Sequence, residues 1–159
     1  MARDLASDCW NGKDSQCRAR LNEAATTAYR SLKPGRDTGT EALQKFQEVL
    51  SFIGTLQKSL IDEGDGVFGP YGLGTEYDST DESNCSYGTL TQSAVSSFQS
   101  TCKAFALPEY SAGTVRMICD GLAGMQTLDM MDHIMLLAAQ GASAIAGSAA
   151  GEAGGAGDS

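Results

Sequence analysis

The string Asp65-Gly66-Val67-Phe68-Gly69-Pro70 returns as Asp120-Gly121-Leu122-Ala123-Gly124-Met125. A repeated Asp-Gly-x-x-Gly narrows what this chain can fold into, because recurrence implies one small supersecondary unit used twice. Glycine admits the positive φ that a side chain penalises. The aspartate can accept from amides just downstream and close an Asx-type turn. Val67/Phe68 and Leu122/Ala123 then press each loop onto a core. The reading is a structural clasp made by Asp65, Gly66, Phe68, Gly69, Asp120, Gly121 and Gly124. It contains no catalytic device.

Helical wording surrounds both copies. Asp14 or Ser15 can cap a helix running to about residue 32, with Leu21, Ala25, Ala28 and Leu32 at helical spacing and Lys33-Pro34-Gly35 as its stop. Gly39-Thr40 opens a second helix, whose stripe Leu43, Phe46, Val49/Leu50, Ile53, Leu56 and Leu60 predicts one long element. Its start, Thr40 to Gln47, echoes the segment Thr91 to Gln99, which itself predicts a helix over about 91–104 burying Val95, Phe98 and Cys102. Residues 114–119 suggest a further short helix, and 125–140 a last one, apolar over so much of its circumference that it needs cover on two sides. The first helix or a second subunit would supply that cover. Residues 71–90 read as a surface loop, and the Gly/Ala/Ser-rich stretch 141–159 as a flexible tail with too few large apolar residues to offset ordering entropy.

Five short blocks follow one another in the chain: Leu56-Gln57-x-x-Leu60, Asp65-Gly66-x-Phe68-Gly69-Pro70, Thr91-x-x-Ala94-Val95-x-x-Phe98-Gln99, Ala106-Leu107-Pro108, and the second clasp followed by Thr127-Leu128. Over residues 53–135 this pattern resembles the peptidoglycan-binding-domain-like family of small three-helix cell-wall modules. The chain departs from the family's pattern in the long 71–90 insertion, in Met125 where proline is usual, and in an unmatched segment of about fifty residues at the start. The resemblance implies an all-α fold: a three-helix module at 49–140, an N-terminal helical extension at 1–48, the acidic insertion 71–90 and the low-complexity tail 141–159. It also implies a non-catalytic role with peptidoglycan or another wall glycan as ligand.

Charge is unevenly distributed. Residues 1–58 hold 9 basic and 7 acidic side chains, net +2; residues 59–159 hold 2 and 13, net −11, which together give −9. A chain this acidic is not expected to bind nucleic acid, which needs phosphate neutralisation by Lys and Arg. No apolar run approaches the roughly 20 residues of a membrane span, so membrane insertion is not expected. Met1-Ala2-Arg3-Asp4 leads into polar sequence without the apolar core of a secretory leader. An extracellular, wall or virion location would then need another route.

Candidate chemistry is sparse. The single histidine, His133, falls between apolar residues of the last helix, and zinc catalysis needs several N or S ligands. Asp78, Asp81, Glu82 and Asn84 are oxygen donors, but not at the spacing of the twelve-residue calcium loop. No metal, cofactor or catalytic residue is assigned. Cys9 and Cys17 bracket an Asn-Gly turn and suggest a local disulfide; Cys85 and Cys102 suggest a second that would staple the insertion, with buried thiols as the alternative. Tyr71, Tyr77, Tyr87 and Tyr110 gather around the insertion and would either stack on sugar rings or pin the loop. Asp81 and Glu82 beside them would hold the free amine of a wall stem peptide. Two functions follow as expectations. One is a wall-binding module. The other is a structural subunit of a virion or extracellular assembly, bound to copies of itself or to other subunits through the same fold.

Overall fold

The computed structural model describes residues 4–61, 64–102 and 118–141. These residues are all-α, with four helices, α1 (Ser15–Thr26), α2 (Glu41–Ile53), α3 (Thr89–Cys102) and α4 (Met125–Gln140). Single turns of 3-10 helix occur at Asp8–Trp10, Lys58–Ile61, Gly74–Glu76 and Glu82–Asn84. Among the described residues, extended pairing is confined to two isolated antiparallel bridges, Gln57 with Val67 and Leu32 with Ala123. The expected tail (142–159), Tyr110 and most of the 114–119 segment lie outside the described residues.

Local chemistry sets the helix ends. The Asp14 carboxylate accepts from the Gln16 amide to start α1, and the Thr40 hydroxyl accepts from Leu43 to start α2. Both helices stop earlier than their apolar spacing predicts. Helix α1 ends at Thr26, and Leu32 instead exchanges two backbone hydrogen bonds with Ala123, at 2.9 and 3.0 Å. Helix α2 ends at Gly54, against which Gly69 packs so closely that a Cβ on Gly69 would lie 2.9 Å from the Gly54 Cα. Leu56 therefore leaves the helix but stays buried, in the segment that pairs with the first clasp. An apolar stripe reports burial without distinguishing a continued helix from a turn that keeps the same residues inside.

Helix α4 packs against both α1 and α2, so its wide apolar face is covered within the chain. One core unites Trp10, Leu21, Phe46, Leu50, Phe98 and Leu128, all fully buried. The expected boundary between residues 48 and 49 falls inside α2, and that core takes side chains from both sides of it. The N-terminal segment is fastened by Asp132 of α4. Its buried carboxylate accepts from the amides of Ala6 and Ser7 at 3.0 and 2.8 Å and from the Trp10 indole at 3.0 Å. Arg18 adds bonds to the Ser7 and Leu5 carbonyls.

The two clasps close by different means. In the first, the backbone pairs with residues 54–58: Phe68 N–H donates to Leu56, Gly69 N–H to Gly54 and Lys58 N–H to Gly66, at 2.8–2.9 Å. Gly66 has φ +91°, and Phe68 plugs the loop onto Phe98 with ring centroids 6.1 Å apart. In the second, the Asp120 carboxylate accepts from Leu122 N–H at 3.0 Å, the expected Asx turn. Gly121, at φ +74°, donates to the Gln99 side-chain oxygen at 2.9 Å.

The echo between the two helix sequences has a structural counterpart. Gln47 of α2 is buried, and its side-chain nitrogen donates to the Glu76 and Ser86 carbonyls and to the Thr91 hydroxyl in the first turn of α3. Gln99 of α3 is buried likewise and donates to Asp120, to the Leu122 carbonyl and to the Thr127 hydroxyl in the first turn of α4. Each Phe-Gln pair thus fastens the start of the next helix.

Candidate functional site

A polar groove of about 900 Å³ lies between the 71–90 insertion and the N-terminal segment. Residues 11–15 form one wall, Glu41, Gln44, Lys45 and Glu48 of α2 the floor, and residues 79–82 the other wall. A smaller cleft of about 450 Å³ shares Asp14, Glu41 and Glu82 with it and ends at the Arg20–Asp37 pair. That pair is bidentate, with both contacts at 2.8 Å.

Each wall is fixed by named bonds. Glu41 accepts from the amides of Lys13 and Asp14 at 2.6 and 3.0 Å, which ties the first wall to α2. Gln44 donates to the Asp78 carbonyl at 2.7 Å and ties the second. Within the insertion, one Asp78 oxygen accepts from the Thr80 amide and hydroxyl and from the Asp81 amide. The Thr80 hydroxyl, the Thr80 amide and the Asn84 side chain hold the Asp78 carboxyl below its usual value. Asp81 caps the turn Glu82–Asn84 by accepting from Ser83. Residues 78–84 are therefore built as two consecutive Asx turns.

Glu76 ties this loop to α3. Its carboxylate accepts from the amides of Gly88, Leu90 and Thr91 and from the Thr91 hydroxyl, at 2.7–3.1 Å. A distant acid thus caps the helix and meets the positive end of its dipole. Burial alone would raise the Glu76 pKa, but the Thr91 hydroxyl and the amides of Leu90, Thr91 and Gly88 outweigh it and hold the group below 4.5.

The groove is acidic. Asp14, Glu41, Glu48, Asp81 and Glu82 face it against Lys13 and Lys45, five carboxylates to two ammonium groups. Lys45 already meets Glu48 at 3.2 Å. Such a lining attracts an amine or guanidinium and repels phosphate or carboxylate.

Of the residues expected to bind ligand, Asp81 and Glu82 line this groove. Among the described residues the tyrosines do not form a stacking platform, and Tyr110 lies outside them. Tyr71 and Tyr87 are buried, Tyr87 donating its hydroxyl to the Gly121 carbonyl at 2.5 Å and stacking on Phe46 at 6.2 Å. Burial raises the pKa of both phenols. These two side chains pin the insertion to the body, because a ring enclosed in the core has no face to offer a sugar. Tyr77 is half-buried, its phenol raised by burial and then by Glu48.

The suggested disulfides are absent: none of the five cysteines is bridged. The Cys17 thiol points to the Trp10 carbonyl at 3.8 Å, and the Cys85 thiol exchanges contacts with the Asp78 amide and carbonyl at 3.3 and 3.5 Å. Burial pushes the Cys9 and Cys17 thiols up to about 11, so neither is a ready nucleophile. His133 is half-buried on α4. Among the described residues no group of three His, Cys, Asp or Glu side chains is arranged to hold a metal, and no helix is long and apolar enough to cross a membrane.

Sequence reading missed Asp14, Glu41, Gln44 and Glu48, because the N-terminal segment matched no pattern. The available signal was Thr40-Glu41, a helix opening whose acid lies in the first turn, beside Gly12, where a Cβ would strike Cys17 and Glu41 at 2.7 Å. Comparison of the chain with protein-family models, with curated proteins and with solved structures finds no match.

Proposed function

We propose that this chain is a non-catalytic binding module that takes a cationic group of its ligand into the acidic groove. The observation behind the reading is a concave surface with three more carboxylates than ammonium groups, both of whose walls are anchored to α2. The resemblance over residues 53–135 suggests peptidoglycan as that ligand. The groove suggests which part of it is held: the free amine of a stem peptide, with the sugar chain outside. The two clasps serve as the frame. Retention of the chain on purified insoluble sacculi tests this. Saturable retention that weakens when Asp81 and Glu82 are changed to Asn and Gln is the expected result, and no retention at low salt removes the wall-binding reading.

A second reading has its own support. The chain would be a structural subunit of a virion or extracellular assembly, in which a neighbouring subunit fills the groove. It is favoured by a fully exposed tyrosine among three cations on the loop between α1 and α2, a feature that wall binding leaves without a purpose.

A further inference from the structure

Residues 27–30 form an exposed turn, a short knuckle outside the groove, and Leu32 behind it pairs with the second clasp. Tyr29, in the turn, is 93 % exposed and has φ +67°. A bulky residue holds that backbone conformation only where its surroundings impose it. Here they do. Arg36 donates to the carbonyls of Tyr29 and Ser31 at 2.9 and 3.3 Å, and Arg30 N–H donates to the Thr27 carbonyl at 3.3 Å. Leu32, three residues on, is fully buried and bonded twice to Ala123. The ring is therefore held in water by a well-fastened loop, although its exposure adds nothing to the stability of one chain.

Arg30 follows Tyr29 in the chain, Arg36 bonds its carbonyl, and Lys33 lies on the same loop. Arg30 meets Glu23 at 3.3 Å across an exposed pair, while the nearby Asp37 is committed to Arg20. Tyrosine and arginine are enriched at the energetic centres of protein interfaces, tyrosine as a large rigid contact at low entropic cost and arginine as a planar, multiply donating cation. The rest of the molecule indicates the partner. With a net charge of −9 the chain as a whole would repel an extended polyanion. It carries the complementary charge itself, in the acidic groove of about 900 Å³.

We propose that the Tyr29 knuckle of one copy docks into the acidic groove of a second copy. The contact is head-to-tail: each chain offers one knuckle and one groove, so assembly proceeds to a closed ring or an open filament. This inference rests on the subunit reading above and names the partner of that surface.

Sedimentation velocity of the full chain at rising concentration, in low and high salt, tests it. The expected result is association that grows with concentration and weakens with salt. Tyr29→Ala, the pair Arg30→Glu/Lys33→Glu, and the pair Glu48→Lys/Glu82→Lys should each weaken it roughly tenfold or more. Mixing the two charge-reversed proteins should restore one-to-one association, a rescue that misfolding cannot imitate. Salt-sensitive association that survives both reversals, or a mixture that stays monomeric, overturns this contact and leaves the subunit reading standing. A wild-type chain monomeric at every concentration removes both.

Discussion

The two Asp-Gly-x-x-Gly loops share their wording but not their chemistry. The first is held by backbone bonds to residues 54–58 and by Phe68 seated against Phe98, while Asp65 is exposed. The second is held by side chains: Asp120 closes its own turn, and Gln99 bonds Asp120, Gly121, Leu122 and Thr127 at once. The helices that follow also differ. Helix α3 is capped by Glu76 from a distant loop, whereas α4 begins at Gly124 with no side-chain cap. A repeated motif specifies a backbone bend, and what secures the bend depends on which neighbours the rest of the chain delivers.

Substitutions can break this contrast at each level. Phe68→Ala should have the largest effect, about 3–5 kcal/mol in chemical denaturation, because it removes the plug of the first clasp and leaves a cavity beside Phe98. Gln99→Ala should cost about 2–3 kcal/mol, because it strands the Gly121 amide in a buried site and removes three further bonds. The cost of Gln47→Ala should be smaller, since the Gln47 side-chain oxygen has no hydrogen-bond partner to lose.

Glu76→Gln should cost about 1 kcal/mol at neutral pH. It also carries a pH signature. Folding lowers the Glu76 pKa below 4.5, so its contribution is complete above that value and fades as pH falls through the folded pKa. Denaturation at stepped pH should show the wild type and the variant converging on acidification. The sharpest contrast is the smallest: Asp120→Ala should cost about 1 kcal/mol and Asp65→Ala less than about 0.5 kcal/mol. Equal effects at the two aspartates would mean that the clasps work alike after all.

Much of the fold could be read from the chain. The all-α class, the limits of α4, the start of α1 and the Asx turn at Asp120 follow from spacing and capping residues. Leu32 and Leu56 misled, because a buried residue at helical spacing satisfies the helix pattern even when it sits in a bridge beyond the helix end. The tyrosines misled for a related reason. Composition marks residues 71–90 as surface, yet Tyr71, Tyr87 and Cys85 turn inward and supply the insertion's own core contacts. Half of the groove was invisible in sequence, since Asp14, Glu41 and Glu48 meet Asp81 and Glu82 only through the bonds of Glu41 to residues 13–14 and of Gln44 to Asp78. Long-range polar bonds between exposed residues leave no periodic trace.

The proposed role stands on the groove's preference for an amine. Isothermal titration of the full chain with a muropeptide bearing a free stem-peptide amine, set against the same compound N-acetylated, tests that preference directly. Saturable heat with the first and none with the second is the predicted result. Equal heats, or none from either compound, would contradict it.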